Sequence, residues 1–264
     1  MKRKFYVIDK DNTILKQITD NEKTQLDKAI NEISENNMRN WGFIFINQNY
    51  RSLFIESNKL FSKLSKTHVN SFEEMEEATK LLNYHFFNYL SSINTFIDHT
   101  TKFITNRYKE KKEVITEFKK LTNRIYDSHF EYRLLYSLRN YTLHAGYSIC
   151  TIIVKHNEKQ VSYIPCINKS SLLEKGKKSF NAILKKDFEL QPQQIPIFEL
   201  IKKSINHYKE INNFIEELIK DSNIENKRTL REIYGIKTNE SIIKSFMIDN
   251  GNEKLVFAIP YQYL

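Results

Sequence analysis

The chain has 264 residues, with 41 Lys and Arg against 32 Asp and Glu and a formal net charge of +9. Its five glycines (Gly42, Gly146, Gly176, Gly235 and Gly251) lie too far apart for a G-x-G-x-x-G turn or a Walker A loop. With four prolines, the first at Pro165, it also lacks the turn signal every 8–12 residues or so that a sandwich or barrel needs. Hydrophobic residues at 40% and aromatics at 13% are enough for a packed core. No apolar run approaches the ~18 residues of a membrane span, and MKRKFYVIDKDN lacks the apolar segment of a signal peptide. Cys150 and Cys166 form no C-x-x-C pair and read as reduced thiols of a cytoplasmic protein, although placement on neighbouring strands would leave a disulfide open. The positive balance has two readings: lysines that solvate the surface, or a phosphate-bearing partner such as a nucleic acid.

Residues 4–17 read as two short strands around Asp-Lys-Asp-Asn, followed by a helix capped by Thr19 or Asp20 with Leu26, Ile30 and Ile33 at helical spacing. Residues 41–64 are apolar and aromatic, and periodicity does not separate strand from helix in the first half. Ser71-Phe-Glu-Glu74 is a capping box that opens a long helix with an apolar stripe of Leu82, Phe86, Tyr89, Ile93, Phe96 and Ile97. Helices follow over about 112–125 and 129–144, with a break at Asp127-Ser128. Residues 149–155 and 160–166 form a β-branched hairpin pattern. Helical patterns resume over 171–186, 197–220 and, more weakly, 227–234, and residues 245–248 and 255–259 suggest a last hairpin around Asp249-Asn-Gly251. The expected architecture is mainly α, with a helical bundle and small antiparallel hairpins at the termini and after residue 144. The domain boundary is expected just after Gly146, giving residues 1–147 and a C-terminal extension over 148–264.

No histidine stands in H-E-x-x-H or with cysteines at zinc spacing, so no metal site is expected, and neither Ser nor Cys has a nucleophile context. The informative segment is Phe130–Tyr147, FEYRLLYSLRNYTLHAGY. At about 100° per residue, Leu134, Leu138 and Tyr141 share a narrow arc that should face the core. Arg133, Tyr136, Arg139, Asn140 and His144 fall on the other side, and Gly146 terminates the helix. Arginine can fork onto a phosphate and stabilise charge developing on its oxygens. Histidine, with a reference pKa near neutrality, can move the proton of a 2′-hydroxyl or of a leaving 5′-oxygen. Those chemistries together suit RNA cleavage.

Arg139-Asn140-Tyr-Thr-Leu-His144 resembles the R-x4–6-H motif of the HEPN superfamily (higher eukaryotes and prokaryotes nucleotide-binding domain), in which a polar residue often follows the arginine. Residues 88–99 (NYLSSINTFIDH) are similar to the preceding long helix of such proteins, and the resemblance covers about residues 72–147. It implies a helical bundle paired through a twofold axis. It further implies a metal-independent endoribonuclease, without cofactor, that leaves a 2′,3′-cyclic phosphate at a composite site between two copies. Toxins and phage-defence effectors of this family suggest RNA as substrate and an antitoxin or defence-system protein as partner. On that resemblance Arg139, Asn140 and His144 are the catalytic set, with Arg133, Tyr136 and Asp98 as weaker RNA-contacting positions. The alternative is a non-catalytic HEPN module that binds RNA, a nucleotide or a protein. A second match, Arg124-Ile-Tyr-Asp-Ser-His129, has Ile after the arginine and the expected helix break inside it, and is set aside. The modified tyrosine that some family toxins carry two residues after the histidine is replaced here by Gly146, with Tyr147 one place late.

Overall fold

The computed structural model describes residues 4–8, 13–66, 71–144, 146, 148–156, 161–176, 179–235, 245–249 and 254–258, with the backbone alone at 143–144, 245–249 and 254–258. The described chain is mainly helical, with two small antiparallel sheets. Its contacts form two units, Met1–Met38 with Ile215–Leu264, and Arg39–Phe214. This division differs from the boundary expected after Gly146, and both of the longest helices contribute to each unit.

In the first unit β1 (Lys4–Ile8) pairs antiparallel with β2 (Ile14–Ile18), the two strands expected there, while the Asp-Lys-Asp-Asn stretch between them lies outside the described residues. The C-terminal hairpin, β6 (Ser245–Asp249) and β7 (Lys254–Ala258), does not stand alone. Strand β6 pairs antiparallel with β1, Phe5 opposite Ile248, so the two hairpins merge into one sheet of order β2-β1-β6-β7. Helix α1 (Asp20–Leu64) opens on a box in which the Thr19 hydroxyl accepts from Glu22 N–H at 3.2 Å and Glu22 accepts from Thr19 N–H at 2.9 Å. Leu26, Ala29 and Ile33 of α1 pack with Val7, Ile18, Leu230, Ile233 and Tyr234. The last three come from α7 (Ile197–Tyr234), a single helix where the sequence suggested two. The polar stretch that argued for a break is satisfied across the helix pair: Asn36 donates to Asn223 at 2.6 Å, and Asn226 donates to Glu32 at 2.9 Å.

In the second unit α1 continues through residues 41–64 as helix. Its buried Ile46, Leu53, Ser57 and Leu64 recur at helical intervals, which resolves the strand-or-helix ambiguity. Helix α2 (Phe72–Arg107) begins at the expected capping box, Ser71 accepting from Glu74 N–H at 3.1 Å and Glu74 from Ser71 N–H at 2.9 Å. All six residues of its anticipated apolar stripe are buried. Helices α3 (Lys112–Ser128) and α4 (Phe130–His144) are separated by His129, whose extended backbone (φ −128°, ψ 111°) realises the break expected at Asp127-Ser128.

Strands β3 (Cys150–His156) and β4 (Val161–Asn168) form the hairpin after α4, and a short β5 (Gln194–Pro196) that periodicity does not reveal adds to β4. Cys150 faces Ile167 while Thr151 faces Cys166, so the thiols are one register apart; both are buried and free. Residues 171–186 form two helices, α5 (Lys169–Lys175) and α6 (Ala182–Glu189), each opened by an asparagine cap, Asn168 and Asn181. Gly176 ends α5 where a Cβ would lie 2.6 Å from the Phe180 ring and 2.7 Å from the Tyr141 ring, so only glycine lets α5 approach α4 there. No helix among the described residues is long and apolar enough to cross a membrane.

Candidate functional site at the end of α4

Helix α4 presents its apolar arc to the core as the spacing predicts, with Leu134, Leu138 and Tyr141 at 0–1% exposure. The stack of Tyr141 on Phe180 (centroids 5.9 Å, planes 7° apart) and the T-shaped contact of Phe130 with Phe188 hold the helix at both ends. Asn140 is exposed and Arg139 half-buried on the last turns. The Thr142 hydroxyl donates to the Arg139 carbonyl at 2.6 Å, which satisfies one of the carbonyls left over at a helix end. His144 is the last residue of the helix, and its side chain lies outside the described residues. Gly146 follows with φ +130°, a conformation open to glycine and strained for other residues.

The open polar face expected of α4 is not uniform. Arg133 is 5% exposed, with Nε and Nη2 each 2.8 Å from Asp187 Oδ2 and Nη1 donating to the Tyr126 carbonyl. That guanidinium is locked inside the unit, a correction to its placement on a free cationic surface. The reason is α6: it packs over the first half of α4 and brings a carboxylate to meet the charge. Tyr136 is half-buried between Tyr126 (6.3 Å, T-shaped) and Tyr132 (6.5 Å, stacked). Asp98 is exposed on α2, and no described hydrogen bond or ion pair joins it to Arg139 or Asn140.

Sequence reading missed Asn83. Its Oδ1 accepts from both Ile149 N–H and Cys150 N–H at 2.8 Å, while its Nδ2 donates to the Cys150 carbonyl at 2.9 Å and the Thr79 carbonyl at 2.8 Å. All four valences of the amide are used. They fasten the start of β3 to α2, and so fix where the chain goes after α4. No local motif announces this, because the partners lie 66 and 67 positions away.

Asn83 also lines a cleft of about 620 Å³ with Glu76, Thr79, Lys80, Tyr84, Phe87, Asn88 and Ser148. Ser148 is four residues beyond His144, so the helix end lies within about 14 Å of the cleft wall. The walls are mostly carbon, and the one lysine is paired with Glu76 (3.2 Å) and Glu77 (2.9 Å). Asn88 lines a second hollow of about 260 Å³ that Gly42 and Phe45 of α1 complete, so the cleft adjoins the outer face of α1. On that face Trp41, Ile44, Phe45 and Ile55 are 40–50% exposed.

Another assembly joins His129, Glu131 and His207. Glu131 Oε1 lies 2.9 Å from His207 Nε2 and 3.7 Å from His129 Nδ1. Burial pushes the Glu131 carboxyl up, but the hydrogen bond and charge of His207 outweigh it and hold the carboxyl below its ordinary value. Burial and then the neighbouring His207 pull the His129 imidazole down. No family model, curated protein or solved structure matches the chain.

Proposed function

We propose that the chain is a homodimeric, metal-independent endoribonuclease of HEPN type, acting at a composite site built from Arg139, Asn140 and His144 of two copies. One observation carries the reading. An unbroken α4 ends at His144, holds Asn140 exposed and Arg139 half-buried on its last turns, and delivers the chain to an open cleft at Ser148. The apolar cleft and the adjoining exposed residues of α1 supply a surface for the second copy.

In this mechanism His144 takes the proton of a ribose 2′-hydroxyl, and O2′ attacks the adjacent phosphorus. Arg139 holds the phosphate and offsets the charge that builds on its non-bridging oxygens. The P–O5′ bond breaks, and the 5′-oxygen takes a proton from a protonated histidine, for which His144 of the second copy is available. The products are a 2′,3′-cyclic phosphate and a 5′-hydroxyl end. Asn140 orients the other two side chains. An effector of this kind suits a toxin or a phage-defence system.

The test is degradation of a mixed RNA pool with EDTA present. Wild type cleaves, and Arg139→Ala and His144→Ala each lose at least about 100-fold in rate with an unchanged circular dichroism spectrum. Full cleavage by His144→Ala sinks the proposal. Retained RNA binding with no cleavage by the wild type returns the molecule to the binding-module reading.

A further inference from the structure

Three side chains that the cleavage chemistry leaves unused converge where α3, α4 and α7 meet. His129 caps the α3–α4 junction, Glu131 lies in the first turn of α4, and His207 comes from α7. One ligand-type atom from each lies within 4.8 Å of the others. A tetrahedral ion with bonds of about 2.0–2.1 Å to nitrogen and oxygen spaces its ligand atoms about 3.3 Å apart. The separations from Glu131 Oε1, 2.9 Å to His207 and 3.7 Å to His129, straddle that value. The imidazole rings of His129 and His207 lie side by side, with centroids 3.9 Å apart and planes tilted by 30°.

The surroundings suit a cation. The side chains of Glu131 and His207 are 17% and 12% exposed, which fixes the inner wall, while His129 at 40% leaves one side open to solvent. Arg124 is a competing positive charge felt by His129, and its guanidinium is ion-paired with Glu210. Counting Glu131, Glu210 and Arg124, the local sum is one negative charge. Ligation needs a neutral imidazole and an ionised carboxylate.

We infer that His129, Glu131 and His207 form a binding site for one divalent transition ion of the zinc class, with three protein ligands and a fourth position open to water. Two imidazoles and a carboxylate are a donor set that zinc takes. The ion clasps the α3–α4 junction to α7. It sits at the opposite end of α4 from His144, about 20 Å along the helix axis, so it takes no part in the proposed RNA cleavage.

The experiment uses the full chain, stripped with chelator, dialysed and titrated with Zn²⁺ by calorimetry and with Co²⁺ by visible absorption. The expected result is one ion per chain, with Co²⁺ showing the d–d bands of a four-coordinate site. Affinity falls at least tenfold in His207→Ala and Glu131→Gln, and is unchanged in the exposed control His99→Ala. His129→Asn alters the half-exposed ligand, and its helix content is checked by circular dichroism, so a folding defect is not mistaken for lost ligation. Absence of zinc binding by the wild type, or undiminished binding by His129→Asn, overturns the inference. Either result leaves the cleavage proposal standing, because that is read in EDTA through His144.

Discussion

At the scale of single residues, Asn83 is the position on which the environment of α4 depends most directly. Replacing it with alanine strands the Ile149 and Cys150 amides, at 6% and 0% exposure, without their acceptor. Each orphaned buried donor costs about 1–3 kcal/mol, so Asn83→Ala should lower unfolding stability by roughly 2–6 kcal/mol in a urea titration. A loss below about 0.5 kcal/mol would mean that water replaces the amide at little cost. The residues that spacing could assign, Leu134, Leu138 and Tyr141 in the core and Ser71 with Glu74 at a cap, stand where local rules put them. Arg133 does not, because its place is decided by Asp187, 54 positions away. Asn83, Glu131 and His207 are of the same kind: their roles exist only once distant segments meet, and a periodicity argument has no access to that.

At the scale of elements, the start of α1 carries a pH dependence. The hydrogen bond from Lys16, then those from the Thr19 backbone and hydroxyl, lower the Glu22 carboxyl from 4.5 to about 2. A depressed folded-state pKa stabilises above the unfolded value and is lost as protons bind to the folded state. The box therefore contributes fully above about pH 4.5 and fades as pH falls towards 2. Glu22→Gln keeps an acceptor at the same capping position without the charge. It should melt below wild type at pH 7, with the gap narrowing steadily from pH 4.5 downward in calorimetric scans. A gap that stays constant to pH 2.5 would assign the difference to shape instead of charge. Element identities were largely legible, the failures being of continuity: polar Asn223 and Asn226 mimic a helix break, and Gly176 and Asn181 divide what looked like one helix. The first error comes from partners across the helix pair, beyond any local window, whereas the second passes over two local signals, the Gly176 terminator and the Asn181 cap on Leu184 N–H.

At the scale of the whole molecule, the proposed site needs a second copy, and the surface offered to it includes Trp41, the only tryptophan in the chain. Trp41, Ile44, Phe45 and Ile55 fall within about 100° of arc on α1, an exposed apolar face that Gln48 interrupts between Phe45 and Ile55. Sedimentation should give a dimer at micromolar concentration, and Trp41 emission should shift to the red as dilution dissociates it. Trp41→Glu should be monomeric and, if the cleavage site is composite, inactive while still folded. A wild-type monomer at all concentrations with active cleavage would rule out the shared site. The +9 charge adds little to this argument, since Lys80, the lysine of the cleft, is already neutralised by Glu76 and Glu77.

The buried pair of Arg133 and Asp187 has a consequence for how the motif is aimed. By locking one guanidinium to α6, it acts as a key that sets the rotation of α4 about its own axis. Counting about 100° per residue, Asn140 lies within about 20° of Arg133 and Arg139 about 120° away. The direction buried under α6 at the first turns therefore emerges as the exposed Asn140 near the last. A substitution at the half-buried Ser137 leaves that indexing intact. Inserting or deleting a single residue there turns the motif by about 100° while the key stays in its lock, so this stretch of helix is held in length as well as in the apolar character of Leu134, Leu135 and Leu138.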